Sequence, residues 1–160
     1  MTDVAITPPS PDTNVRVEWQ GDKRYALSRE GAPSMTIDAG RTAGPGPVET
    51  LLGALASCSA IDVVEYLAKR RTPASALDIA VGAVRADTTP RRLLSVTLDY
   101  RITGDGIDAD HAERSVALAV GTYCSVASSL AKDIVIYTRV VLNGAERPYV
   151  QQEITAGAKP

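Results

Sequence analysis

Cys58 and Cys124 are the only thiols in this chain, and His111 is its only histidine. These three side chains bound the chemistry open to it. Zinc-finger and zinc-ribbon sites need four Cys or His ligands at short spacing, which this inventory excludes. The two cysteines lie in LASCSAID and TYCSVASSL, too far apart for a Cys-x-x-Cys redox motif. Two readings of such a pair stand side by side. One is a pair of small buried hydrophobes, since free cysteine is among the most buried residue types. The other is a peroxidatic and resolving pair. In that chemistry a thiolate attacks a peroxide oxygen and becomes a sulfenic acid, and a second thiol condenses with it to a disulfide.

The second reading sets physical demands. A free thiol of pKa ~8.5 is only about 3% ionised at neutral pH, so a nearby cation is needed to hold the thiolate. Lowering that pKa by ~2.5 takes roughly 3.4 kcal/mol of differential stabilisation, within reach of a partly buried arginine. Ionisation gains about 30-fold at most, and the accompanying loss of nucleophilicity returns about tenfold of it. A thiol peroxidase must therefore also bind peroxide in line and stabilise the departing alkoxide. An arginine does both, whereas a mid-helix position alone does neither. A Cys–His hydrolase would have to use His111, which falls at an exposed helix start beside Asp110. The sequence carries no G-x-S-x-G and no phosphate-binding loop.

The elements that must position these residues follow from local patterning. Val15, Val17 and Trp19 alternate with polar residues, as in a half-buried strand. Gly21-Asp22 is a turn, and Tyr25–Arg29 and Ser34–Ile37 read as further short strands. Residues 40–47 (GRTAGPGP) form a loop, because so many Gly and Pro hold neither helix nor ladder. A helix begins near Pro47, with Glu49 at its positive end, and runs to about Arg71 before Pro73. Between Leu51 and Leu67 its only charges are Asp62 and Glu65, so apolar residues cover nearly all faces. That predicts a buried central helix, covered in part by a second subunit.

Two alternating runs, around Leu77–Gly82 and Leu94–Ile102, predict a hairpin turning at Thr88-Thr89-Pro90. A second helix, capped by Asp108 or Asp110, runs to about Tyr123. Cys124–Lys132 adds a helical turn, and Ile134–Leu142 a last strand. Runs of strands rather than strict β-α-β alternation place the chain in the α+β class.

With these elements placed, a resemblance emerges. Residues 44–67, GPGPVETLLGALASCSAIDVVEYL, resemble the first signature of the OsmC/Ohr family (osmotically inducible protein C and organic hydroperoxide resistance protein). Residues 123–130, YCSVASSL, resemble the second, and the element order is similar from about Val15 to Asn143. The resemblance implies an OsmC-like fold, with antiparallel sheets around a long buried central helix, assembled as an intertwined homodimer with active sites at the subunit interface. It implies a thiol-dependent peroxidase acting on organic hydroperoxides without metal or prosthetic group. By position, Cys58 would attack and Cys124 resolve, and a dithiol such as a lipoylated protein would reduce the disulfide.

The family arginine comes from the N-terminal strands or the loop after them, which leaves Arg24 (GDKRY) and Arg41 (AGRTAG) as candidates. Either residue read alone is an ordinary surface charge. Glu49 would hold that arginine by a bidentate pair, or would simply be a helix-start carboxylate. Asp62, one turn after Cys58 on the same face, has an open role. In the organic hydroperoxide resistance branch, Pro is followed directly by the acidic residue and the second cysteine is followed by Pro. Here Pro47 precedes Val48-Glu49, and Cys124 precedes Ser125. The sequence therefore fits better a less characterised OsmC-like branch with P-x-E-x-L-L and Y-C-S-V motifs. A non-enzymatic, redox-responsive or small-ligand-binding dimer of the same fold is the alternative.

Composition frames these readings. The chain has 160 residues, 44% hydrophobic and 22% charged, with net charge −2. That is enough to bury a core without staples, and it argues against nucleic-acid binding, which needs a clustered basic surface. The expected division is a disordered tail over 1–14, the OsmC-like domain over 15–143 and a fraying tail over 144–160. The N-terminus lacks the pattern of a signal peptide. The longest apolar stretch, Leu51–Ile61, reads as too short to span a bilayer. Free thiols fit a reducing compartment, so the expected location is the cytoplasm, with no membrane contact.

Overall fold

The computed structural model describes residues 8–155. Half of the expected N-terminal tail, residues 1–7, therefore lies outside the described residues. Residues 8–14 carry no helix or strand and are exposed. The chain divides into two compact units, one up to Thr50 and one from Leu51.

The first unit is a three-stranded antiparallel sheet in the order β1 (Arg16–Trp19), β2 (Arg24–Ser28), β3 (Met35–Asp38). Gly21 and Asp22 both take positive φ (95° and 48°), which closes the β1–β2 turn where the Gly-Asp pair predicts it. The loop after β3 is organised by one carboxylate. Asp38 is only 2% exposed, and it accepts the N–H groups of Gly40 (2.7 Å), Thr42 (3.1 Å) and Ala43 (3.0 Å) and the Thr42 hydroxyl (2.9 Å). Burial alone would raise its pKa. These four donors outweigh it and hold the carboxyl far below the usual carboxylate range. Gly44 is required by a close approach, since a Cβ there would stand 2.6 Å from the Thr36 carbonyl oxygen.

Helix α1 (Pro47–Lys69) starts where the sequence predicts. Its first turn is fixed by the Glu49 carboxylate, which accepts the Gly46 N–H at 2.7 Å, satisfying a donor that the helix itself cannot.

In the second unit, β4 (Ala76–Arg85) and β5 (Leu93–Thr103) form the expected long antiparallel hairpin, with Ile79 opposite Tyr100. Period-2 alternation places Val96, Leu98, Tyr100 and Ile102 in the core, each at most 1% exposed. The chain then passes through α2 (Ala109–Leu118), a π turn (Ala119–Tyr123) and α3 (Ser125–Ser129) to reach β6 (Val135–Leu142). Asp108 caps α2, its carboxylate accepting the N–H groups of Asp110 and His111. The helical path runs to Tyr123 as expected, its last turn, Ala119–Tyr123, being π rather than α.

Strand β6 pairs with β5 in parallel, which corrects the expectation of wholly antiparallel sheets. The physical reason is the helical crossover: α2 to α3 carries the chain back to the end of the sheet where β5 began, as a parallel pairing requires.

Two further expectations are corrected. The residues after Asn143 do not all fray, because β7 (Ala145–Glu146) and β8 (Val150–Gln152) both pair with β6. Within the second unit α1 is buried on one face. Leu55, Val63 and Leu67 are at most 1% exposed, while Leu51, Ile61 and Val64 are exposed. Finally, α1 spans 23 residues and is predominantly apolar. By length and composition it is long enough to cross a bilayer, contrary to the sequence reading. Asp62 and Glu65 end the uncharged stretch at Ile61, but the apolar character of the helix continues to Leu67.

Candidate active site

The second unit brings the two cysteines together, although they come from different elements. Cys58 lies on α1 and is half-buried, whereas Cys124 closes the π turn and is fully buried. The local path of the chain explains how Cys124 is aimed. Its N–H reaches back five residues to the Ala119 carbonyl (2.8 Å), which widens the turn, and its backbone then switches to an extended conformation. That switch makes Cys124 the N-cap of α3, and its own sulfur accepts the Ala127 N–H at 3.3 Å. Its thiol also points to the Leu55 carbonyl of α1 at 4.0 Å.

The environments of the two sulfurs differ, and so do their acidities. Burial pushes the Cys58 thiol up. It is outweighed by hydrogen bonds from the Val126 N–H, the Cys124 thiol, the Ser125 hydroxyl and the Ser125 N–H, so Cys58 ionises below its ordinary value of 9.0. Cys124 is shifted the other way, to about 11. Burial is the main cause. The Ala127 N–H opposes it, and the neighbouring Cys58 adds to it, because a thiol that donates to a thiolate resists losing its proton. The arrangement can therefore hold one thiolate, at Cys58, beside one protonated thiol, at Cys124.

Beneath the pair, the fully buried Tyr100 of β5 makes a 2.6 Å hydrogen bond with Ser59. Ser59 donates in turn to the Leu55 and Ala56 carbonyls, so the tyrosine O–H is the donor to Ser59. Burial raises the Tyr100 pKa, and the two cysteines add to that rise. The phenol thus stays neutral below them.

Among the other candidates, Arg41 and Glu49 do meet, in the first unit, with Arg41 Nε 3.1 Å from Glu49 Oε1. The pair is not bidentate as expected. The other carboxylate oxygen of Glu49 is committed to the Gly46 N–H, so only one oxygen faces the arginine. Arg41 also sits at φ 58°, a left-handed conformation imposed by the loop that Asp38 organises. Arg24 lies 3.6 Å from the Asp38 carboxylate and 3.4 Å from the Thr42 hydroxyl, which gives it a place in holding that loop. Asp62 lines an open cleft of about 430 Å³ together with Glu65, Tyr66, Ser115 and Tyr123. His111 hydrogen-bonds the Arg70 guanidinium, and among the described residues it has no hydrogen bond to either thiol. The described residues also hold no group of three or more His, Cys, Asp or Glu able to hold a metal.

Sequence reasoning looked for a cation beside Cys58 and missed Ser125, Val126, Ser59 and Tyr100. Of these, Ser125 alone carried a signal, since a serine directly after Cys124 can supply both an N–H and a hydroxyl where a proline supplies neither.

Comparison with known proteins speaks to the family and the fold. Residues 39–139 match the family described as OsmC-like protein. Protein YhfA of Escherichia coli strain K12 is 35% identical over 120 residues, covering 74% of this chain and 90% of YhfA. In structure, the OsmC-like protein of Mycoplasma pneumoniae superposes with a TM-score of 0.71 at 16% identity, over 84% of this chain and 99% of that one. The organic hydroperoxide resistance protein OhrB of Bacillus subtilis superposes with a TM-score of 0.55 at 12% identity, over 80% and 98%. At these identities the two structures speak to fold alone, while the family match and the identity to YhfA speak to descent. This chain belongs to the OsmC-like protein family.

Proposed function

We propose that the protein is a cysteine peroxidase for organic hydroperoxides. The observation that carries this reading is the asymmetry of the thiol pair: a half-exposed Cys58, 3.8 Å from the Ser125 hydroxyl and with its pKa lowered, beside a buried Cys124 whose pKa is raised to about 11. The Cys58 thiolate attacks the terminal oxygen of ROOH. The O–O bond breaks, the departing alkoxide takes a proton to leave as ROH, and Cys58 becomes a sulfenic acid. The Cys124 sulfur then attacks the Cys58 sulfur, water leaves, and a disulfide forms. A dithiol, in the manner of a lipoylated protein, restores both thiols and is itself oxidised to a cyclic disulfide. No metal or prosthetic group takes part. A fold likeness to OhrB, named an organic hydroperoxide resistance protein, fits this reading.

In the same proposal Arg41, held by Glu49, is the arginine that meets the peroxide, and Arg24 secures the loop. The working protein is a homodimer. The exposed apolar face of α1 (Leu51, Ile61, Val64) and the exposed Val17 and Trp19 of β1 are surfaces that a second copy would cover. Covered in this way, α1 is the core helix of a cytoplasmic protein rather than a membrane span. Light scattering behind size exclusion checks the assembly, and a particle of 16.9 kDa would count against it.

The deciding experiment mixes reduced protein with one equivalent of cumene hydroperoxide and titrates free thiols. Loss of both thiols within seconds, abolished in Cys58→Ser, is expected. Unchanged thiols after an hour would overturn the proposal.

A further inference from the structure

The C-terminal segment meets the π turn in a way that backbone accounting makes informative. In a regular α-helix the Gly121 carbonyl would accept the N–H four residues on, that of Ser125; in a π turn it would accept the N–H five residues on, that of Val126. The chain has already turned at Cys124, whose extended backbone caps α3 and sets the Ser125 hydroxyl 3.8 Å from the Cys58 sulfur. A buried carbonyl without a partner is costly, and Gly121 is buried. Its partner comes from outside the helix. The Thr155 N–H donates to the Gly121 carbonyl at 2.7 Å, and the Thr155 hydroxyl donates to the same oxygen at 3.1 Å. The Thr122 and Thr155 hydroxyls add a contact at 3.4 Å. The segment is led to this point by β8, which pairs with β6. It comes so close that a Cβ at position 121 would stand 2.8 Å from the Glu153 carbonyl oxygen. Glycine is needed at 121 to admit the segment.

We propose that residues 150–155 form a clamp on the π turn, with Thr155 and Gly121 as positioning residues for the thiol pair: by satisfying the Gly121 carbonyl from outside, the clamp fixes the turn that delivers Cys124 and Ser125 to Cys58. The part of this inference concerning closure by hydroperoxide rests on the peroxidase reading. The part concerning the approach of Ser125 and Cys124 to Cys58 does not. With the clamp released, the Gly121 carbonyl loses its partner, the turn shifts, and both thiols lose their register.

The test uses the full chain in four forms: wild type, Thr155→Pro (no N–H, no hydroxyl), Gly121→Ala (no room for the segment) and Thr155→Ser (both donors kept). Two quantities are read by mass spectrometry. One is the pH midpoint of iodoacetamide alkylation at Cys58. The other is the rate of Cys58–Cys124 disulfide closure, started with cumene hydroperoxide and separately with diamide, an azo oxidant that takes up the two electrons and two protons of disulfide formation. Thr155→Pro and Gly121→Ala are expected to raise the alkylation midpoint and to slow closure about fivefold, the worth of one ordinary hydrogen bond. Thr155→Ser is expected to restore both. Thermal melts identify a variant that does not fold, in which case the other variant decides.

Wild-type midpoint and closure rate in the folded variants would overturn the clamp, as would a wild type that closes with neither oxidant. A wild type that closes with diamide but not with hydroperoxide, with the variants slowed as described, would overturn the peroxidase reading and leave the clamp standing.

Discussion

The Cys58 sulfur and the Ser125 hydroxyl stand 3.8 Å apart, across the gap between α1 and the first turn of α3. Ser125 directly follows Cys124, where the resemblance read from the sequence implies a proline in the organic hydroperoxide resistance branch. A proline there would give Cys58 neither hydroxyl nor N–H, whereas serine gives both. The departure from the better-known branch is thus itself a source of thiolate stabilisation, independent of any arginine.

The two thiols should separate cleanly in a pH profile of alkylation. Cys58 should react with a midpoint below 9.0, and Cys124 should stay unreactive until the pH nears 11 or the protein unfolds. Ser125→Ala removes one donor to the thiolate and should raise the Cys58 midpoint by about half a pH unit, the N–H groups being retained. Site-resolved mass spectrometry reads both. Equal midpoints for the two cysteines would contradict the asymmetry.

Cys124→Ser should leave the first oxidation of Cys58 intact and abolish the disulfide. One equivalent of hydroperoxide is then consumed in a burst, and steady turnover with a dithiol falls at least tenfold. The burst rate should decline as pH drops through the lowered Cys58 pKa, because only the thiolate attacks. Stopped-flow peroxide consumption checks both statements, and full steady turnover in Cys124→Ser would remove its resolving role.

Arg41 and Glu49 are 66% and 41% exposed at their side chains, so the pair contributes little to stability, less than about 1 kcal/mol. Glu49→Gln and Arg41→Lys should therefore melt near wild type while losing peroxide turnover. Arg24→Lys should do the reverse, since Arg24 braces a loop carboxylate. Melting curves and turnover measured on the three variants assign the arginine. Normal turnover in Arg41→Lys would exclude it.

Asp38 should give the first unit an acid-sensitive component. Its folded pKa is depressed below the ordinary 3.8, so its stabilisation is present above that value and is lost as pH falls from there toward the folded pKa. Asp38→Asn should lower stability at neutral pH and flatten the acid limb of the stability curve. Urea melts at several pH values test this, and parallel acid limbs for the two proteins would refute it.

Tyr100→Phe removes the buried O–H that donates to Ser59. Ser59 keeps its own two acceptors in α1, so the cost is one hydrogen bond, about 1 kcal/mol, or about 2–4 °C in Tm for a domain of this size. Calorimetry of the variant provides the check.

The sequence by itself determined the elements whose causes are local. The Gly-Asp turn, the Pro47 start of α1, the alternation of β5 and the Asp108 cap all fall where their residues require. It also singled out both cysteines, through two motifs and their separation.

The tertiary structure alone decided what depends on groups distant in the chain. The parallel pairing of β5 and β6 is set by a helical crossover, which no strand pattern encodes. The contact between Cys58 and Ser125, 67 residues apart, depends on how the π turn ends. The C-terminal segment looked free because it is short and polar. It is held instead by a glycine carbonyl that had lost its helical partners, and a deficit of that kind exists only once the chain is folded.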